Sequence, residues 1–310
     1  MKTFFVVNPK SANGATGRRW AELAASIART LSDFGVEFTK GPLDAVGLTR
    51  TALKSGYECI VAVGGDGTIN EVTNGFFAPP GAAEDLPLRP QTELAILMSG
   101  TGGDFRKTFE WALDDAAAIN RLKTPDTRPF DVGRLEFLGH DGKKQTRYFA
   151  NICSFGVSGV VDDEVNKTSK VLGGKASFMW GSLKAMTKYK DQRVLVTFDD
   201  QPPEEVMVTT LSVANGKYFG GGMKVAPDAD VSDGLFDVVI WSGYGLTDFV
   251  VRSASIYSGA HVKWKGTRVL RAKKMAAQSD ERVLIDCDGE QPGTLPCTMT
   301  ILPAAIRLKV

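Results

Sequence analysis

Ile60-Val61-Ala62-Val63 is an unbroken apolar run, and Gly64-Gly65-Asp66-Gly67-Thr68 follows it directly. Beyond the glycines, Ile69, Val72 and Phe76 recur at helical spacing. A buried strand thus enters a glycine-rich turn and leaves it as a helix, an order that belongs to α/β folds. Such a turn lets a phosphate approach the backbone and meet the N–H groups at the helix start. Asp66 and Thr68 add a carboxylate and a hydroxyl at the same place. A plain strand-to-helix turn also uses glycine, but it has no need of three glycines around an Asp. The commoner nucleotide fingerprints are missing: no P-loop is present, and Asn70 stands where a dinucleotide fingerprint requires its third glycine.

The 310 residues suffice for two buried cores. A formal net charge of +1 gives no bulk attraction for nucleic acid, which is not expected as a partner. No apolar run reaches the ~18 residues of a membrane span. The opening Met1–Pro9 reads as a first strand rather than a signal peptide. Cys59, Cys153, Cys287 and Cys297 are scattered, as expected for core thiols of a reduced, cytoplasmic protein.

Strand and helix signals alternate through residues 1–128. Strands are expected at Phe4–Val7, Val36–Thr39, Cys59–Val63 and Leu94–Met98. One helix presents Trp20, Leu23, Ala24, Ile27 and Leu31, and others cover Asp44–Lys54, Thr68–Phe77 and Asp114–Lys123. This order predicts a three-layer α/β nucleotide-binding domain with a mostly parallel sheet. Near Pro125 the pattern turns to β. Phe130–Phe137 and Arg147–Ser154 flank a hairpin turn at His140–Lys143. Val194–Phe198, Val206–Ala214, Leu235–Trp241, Thr267–Ala272, Val283–Asp286 and Met299–Val310 follow as strands. Helical patterns interrupt them near Ala176–Tyr189 and Thr247–Ser258. Residues 129–310 are therefore expected to form a mainly antiparallel β-sandwich, with 299–310 a candidate to return to the first domain.

Two further loops follow strands as the first does: Asn8-Pro9-Lys10-Ser11-Ala12-Asn13-Gly14, and Ser99-Gly100-Thr101-Gly102-Gly103-Asp104-Phe105. Ligands of open α/β sheets bind outside the carboxyl ends of strands, so these loops are expected to line one crevice; three independent turns is the plainer alternative. In the second half, Asp228, Asp230 and Asp233 precede the Leu235 strand, either as oxygen ligands suited to Mg²⁺ or as a solvated acidic turn. Alternation puts Asp286 and Asp288 on one face of a strand with Cys287 opposite. Paired acids there suit a metal or a proton-accepting role, and a polar hairpin is the alternative. His140 and His261, the chain's two histidines, have no evident catalytic partner, which favours a carboxylate base.

Taken together, Asn8-Pro9, Gly64–Thr68 with Asn70-Glu71 and Asn74-Gly75, Gly100-Thr101, Pro227–Leu235 and Asp288-Gly289-Glu290 resemble the diacylglycerol kinase-like lipid kinases. This is the soluble bacterial-type family related to sphingosine and ceramide kinases. The resemblance spans nearly the whole chain. The Gly-Gly-Asp-Gly-Thr element alone is shared with NAD kinases and phosphofructokinases; its combination with the two acidic elements narrows the likeness. The resemblance implies ATP held by Asn8, Pro9, Lys10, Ser11, Ala12, Thr39, Gly64, Gly65, Asp66, Gly67, Thr68, Ile69, Asn70 and Thr101. It implies Mg²⁺ bound by Asp233 with the carbonyls of Asp230 and Leu235. Glu290 or Asp288 would accept the proton of a lipid hydroxyl, with Asp66 as a rival. One departure is visible: Gly103 stands where the family carries Asn.

The expected reaction is in-line transfer of the γ-phosphoryl group to a diacylglycerol, sphingoid or ceramide-like alcohol. The rival readings are a soluble-metabolite kinase such as NAD kinase, and a nucleotide-regulated lipid-binding protein without turnover. Two basic segments with interleaved aromatics, residues 167–193 and Lys263–Lys274 around Trp264, are candidates for peripheral membrane contact or for ordinary solvated faces. A homodimer is compatible with the chain.

Overall fold

The computed structural model describes residues 1–79, 86–99, 103–161, 184, 186, 187 and 189–310. Its packing divides the chain into two compact units, Met1–Val132 with Pro303–Val310, and Gly133–Leu302.

In the first unit, β1 (Thr3–Val7), β2 (Phe34–Phe38), β3 (Cys59–Gly64) and β4 (Glu93–Met98) form a parallel sheet in the order β4-β3-β1-β2. The end of β15 (Glu290–Lys309) adds a further parallel neighbour, Arg307 and Leu308 pairing with Glu93 and Leu94. Every residue of β1 and β3 is buried, as the unbroken apolar runs require of strands covered on both faces. On one face, Phe5, Val7, Val61, Val63, Ala95 and Leu97 pack with Leu23 and Ile27 of α1 (Ala15–Ala28) and Ile119 of α5 (Asp115–Arg121). α2 (Asp44–Lys54) and α3 (Asp66–Gly75) pair with one another. Their close approach depends on Gly75: a Cβ there would stand 2.9 Å from the Val46 carbonyl. α1 stops at Ala28, so Leu31 reaches the core from a turn rather than from the helix.

The second unit is antiparallel, ordered β12-β11-β10-β7-β14-β15, with β15 continuing to β13, β8 and β9. Its strands are β6 (Lys144–Phe149), β7 (Ile152–Gly156), β8 (Gln192–Phe198), β9 (Glu204–Val208), β10 (Thr210–Ala214), β11 (Phe236–Trp241), β12 (Thr267–Ala272), β13 (Lys274–Gln278) and β14 (Leu284–Cys287). β5 (Thr127–Gly139) and β6 form the expected hairpin. One core unites Phe149, Phe155, Phe236, Met275 and Met299 with alternate residues of β8, Val194, Val196 and Phe198. The helix α6 (Leu246–Ser258) follows β11.

Several elements differ from the sequence expectation. Val206–Ala214 is two strands, because Thr209 turns out of the ladder: its N–H bonds Trp241 O (2.8 Å) and its hydroxyl donates to Asp191 (2.6 Å). Arg147–Ser154 also divides, at Ala150-Asn151, for a reason given below. The final strand begins nine residues before Met299, at Glu290. β13 and the short α4 (Asp104–Thr108) carry too little periodicity to be read. The helix expected at Ala176–Tyr189 lies mostly outside the described residues.

Candidate functional site

Three loops emerge from the carboxyl ends of β1, β3 and β4, and hydrogen bonds knit them together. Asn8 N–H donates to Val63 O, and Ser99 N–H to Gly64 O, both at 2.9 Å. Asn8 Nδ2 donates to Thr68 Oγ1 at 3.0 Å. Thr16 Oγ1 is shared between Ser11 Oγ and Ser99 Oγ. Thr39 joins from β2, its N–H bonding Val7 O at 2.9 Å. The first loop turns sharply into α1 through Ala12, Asn13 and Gly14, all left-handed.

The glycines of the β3–α3 turn have separate duties. A Cβ on Gly64 would stand 2.7 Å from Thr68 Cβ, so this glycine lets the helix start close to its own strand. On Gly65 and Gly67 an added Cβ would meet nothing within 4 Å. Space is therefore open where a helix has N–H groups without intrahelical partners, the geometry of an anion cradle. Asn70, Glu71 and Asn74 do a structural job instead. Glu71 Oε2 accepts the Ala45 N–H at the start of α2 (3.1 Å), and Asn74 Nδ2 donates to Asn70 O (2.8 Å).

Asp66, a sequence candidate for the proton acceptor, receives the N–H groups of Asp104 (3.0 Å) and Phe105 (3.1 Å). Its carboxylate ties the β3–α3 turn to the end of the β4 loop and positions that loop. Thr101 lies outside the described residues.

In the second unit the acids do not act as the alternating pair expected. A bulge between Ile285 and Cys287 breaks the register, and Asp288 is left-handed (φ 51°). Asp288 folds back to accept three backbone N–H bonds, from Ala150 (2.8 Å), Asn151 (3.1 Å) and Ile152 (2.9 Å). That clamp is what divides β6 from β7. Asp286 is buried, accepting from Ser154 Oγ (3.2 Å) and Gly289 N–H (2.9 Å). The Glu290 side chain is 42% exposed and paired with Arg147 at 2.7 Å.

The same unit contains an apolar pocket of about 560 Å³ including its open mouth, lined by Val161, Met186, Phe219, Trp241, Phe249 and Trp264. Ser158, Thr209, Thr210 and Tyr244 place hydroxyl-bearing side chains in this otherwise apolar wall. Behind it His261 is fully buried between Trp241 and Trp264, with Nε2 3.0 Å from Val225 O. Burial pushes its pKa below the usual 6.5. The folded state thus holds His261 neutral while the unfolded chain protonates near 6.5, so stability is present above that pH and is lost as pH falls below it. His261→Gln is expected to flatten this loss; melting temperatures at pH 7.5 and 5.5 check it.

A model of the diacylglycerol kinase catalytic domain matches residues 2–135, and a model of the YegS C-terminal NAD kinase beta sandwich-like domain matches residues 151–310. The chain belongs to the diacylglycerol kinase-like lipid kinases. A diacylglycerol kinase of Bacillus subtilis is 25% identical over 94% of this chain and 90% of its own. One from Staphylococcus carnosus is 24% identical over 98% and 93%. A crystal structure of a Bacillus anthracis diacylglycerol kinase superposes with TM-score 0.70 at 22% identity, covering 99% of this chain and 96% of the other. The protein is accordingly a kinase built as a nucleotide-binding α/β domain followed by a mainly antiparallel sandwich.

Within this lipid kinase fold the Gly103 departure has a backbone explanation. Gly103 is left-handed (φ 62°) at the start of α4, a conformation that Asn tolerates better than most residues and Gly best. The exchange keeps the turn while removing an amide. Sequence reasoning missed the Gly220-Gly221-Gly222 run, whose three positive φ values fold Phe219 back on Met223. It also missed Asn151, whose Nδ2 donates to Tyr218 O at 2.7 Å. Three consecutive glycines were a readable signal; the pocket, assembled from scattered elements, was not.

At the acidic turn the side-chain oxygens of Asp230 and Asp233 have protein partners. Asp230 Oδ1 accepts from the Ser232 hydroxyl (2.8 Å), and Asp233 Oδ1 accepts the Leu235 N–H (3.0 Å). Asp233 Oδ2 is ion-paired with Arg271, which also lies 3.5 Å from the buried Asp237. Burial, then the neighbouring Asp228 and Asp230, push Asp237 up to about 6. Arg271 already supplies the countercharge a cation would bring, and among the described residues no three acidic, His or Cys side chains form a metal-holding set.

Proposed function

We propose that this protein transfers the γ-phosphoryl group of Mg·ATP to the hydroxyl of a lipid alcohol, diacylglycerol or a sphingoid or ceramide-like acceptor. The observation carrying the reading is the cradle, where Asn8, Thr16, Thr68 and Ser99 fasten three strand ends around the open space at Gly65 and Gly67. N–H groups fixed in advance at a helix start stabilise charge spreading over a transferred phosphoryl group without reorganising, and that is most of what such a reaction asks of a protein. Asn8, Pro9, Lys10, Ser11, Ala12, Thr39, Gly64–Ile69 and Thr101 bind the nucleotide in this reading, with Asn70 bracing the helix behind them through Asn74. The apolar pocket receives an acyl chain. Glu290 takes the hydroxyl proton, since Asp288 and Asp66 already spend their oxygens on backbone N–H groups, and Arg147 orients it. The lipid acceptor brings the enzyme to a membrane surface.

The test is a transfer assay with γ-labelled ATP and Mg²⁺, offered total lipid extract and NAD side by side. Label is expected in a chloroform-soluble product that co-migrates with a phosphatidate or a phosphorylated sphingoid base. Label in NAD alone would replace this reading with the soluble-metabolite kinase.

A further inference from the structure

The helix α6 buries one flank and leaves the other bare. Phe249 and Ile256, seven residues apart and so on one side, line the apolar pocket. On the outer flank Val250 is 54% and Val251 80% exposed, the latter the barest large apolar side chain of the described residues. Two adjacent β-branched residues in open water gain nothing for the fold of this unit. Their surroundings are cationic. From Phe249 to Met275 the sequence has Arg252, Lys263, Lys265, Arg268, Arg271, Lys273 and Lys274 and not one acid, in a chain whose net charge is only +1.

The structure sorts these cations. Arg252 is paired with Asp248 one turn earlier on α6 (3.8 Å), Arg268 with Glu204 and Arg271 with Asp233. Lys263 and Lys265 are exposed and form no ion pair among the described residues. They flank Trp264, over whose ring the Arg252 guanidinium of α6 lies at 5.2 Å, so helix and lysines make one continuous surface. Trp264 itself packs with Tyr244 and His261.

We infer that the outer face of α6, Val250 and Val251 with Lys263 and Lys265 beside them, docks this enzyme on an anionic bilayer. The valines enter the headgroup boundary and the lysines meet lipid phosphates, the usual division of labour in an interfacial helix. Because the opposite face of the same helix lines the acyl pocket, docking puts the pocket wall against the source of its lipid. The inference rests on the lipid kinase reading for its purpose but not for its test.

The test is flotation of the full chain with phosphatidylcholine vesicles carrying about one-third phosphatidylglycerol, and with neutral vesicles. The native chain is expected to float with the anionic vesicles and to be released by high salt. Val250→Asp with Val251→Asp, and Lys263→Glu with Lys265→Glu, should each weaken binding by about tenfold or more. Lys273→Glu with Lys274→Glu makes the same charge change elsewhere and should weaken it far less. All three are surface changes, so melting temperature and turnover of a dispersed short-chain diacylglycerol should stay at native values. Equal loss in the Lys273/Lys274 variant would mean diffuse charge attraction and overturn the inference. So would failure of the native chain to float, or a valine variant that dissociates a dimer instead, which would make a second copy the occupant. Flotation lost as expected in a protein that phosphorylates no lipid would uphold this face and remove the kinase reading alone.

Discussion

Gly65→Ala is expected to abolish phosphoryl transfer while leaving the protein folded. Gly65 sits at φ −94°, ψ −171°, extended backbone open to any residue, and an added Cβ touches no protein atom within 4 Å. The stability cost is that of alanine at a helix N-cap, a few tenths of a kcal/mol relative to glycine up to about 1 kcal/mol. What the methyl fills is the space a phosphate needs to reach the helix N–H groups. Losing one such donor contact typically costs about 10²–10³ in turnover, and a methyl that holds the phosphate off several donors should cost at least that. Gly64→Ala is the contrasting variant. Its Cβ would press on Thr68, which receives the Asn8 amide, so it should lose about 1–3 kcal/mol of stability together with activity. Melting temperature and nucleotide binding measured on both variants separate the roles. Native-like nucleotide binding by a folded Gly65→Ala protein would take the cradle out of the chemistry.

The cradle was legible because it is local. Strand, glycines and helix start follow one another in the chain, and the spacing of apolar residues places all three; α2 and β12 were read with their observed limits for the same reason. What the sequence concealed is set by partners far away in the chain. The ladder breaks at Ala150-Asn151 because a carboxylate 137 residues from Asn151 takes their N–H groups. Val206–Ala214 splits because Thr209 prefers Asp191. Asp286, Asp288 and Glu290 look like one acidic cluster in the sequence, yet a single bulge assigns each a different neighbourhood. Local pattern places elements along the chain; long-range hydrogen bonds decide which partners each polar side chain takes.

That distinction gives the second large effect, a pair of variants at neighbouring acids with opposite signatures. Asp288→Asn replaces an acceptor of three N–H bonds by an amide with one oxygen, and turns an N–H₂ group toward donors. At least one backbone N–H is stranded against a like group, in a clamp that sets where β6 ends and β7 begins. An unsatisfied buried donor costs about 1–3 kcal/mol, and hydrogen bonds to a charged group are the stronger kind, so a loss of about 3 kcal/mol is expected. Activity should fall with the folded fraction and recover on cooling. Glu290→Gln changes no backbone contact; it gives up a half-exposed pair with Arg147 that contributes little to stability. Its melting temperature should stay within about 2 °C of native. If Glu290 takes the proton of the lipid hydroxyl, turnover falls by about 10²–10⁴ with little change in KM for ATP. The two melting curves and two kcat values decide between the acids. A stable, inactive Asp288→Asn beside an active Glu290→Gln would exchange their assignments, because a carboxylate that only held backbone could not be removed at no cost to the fold.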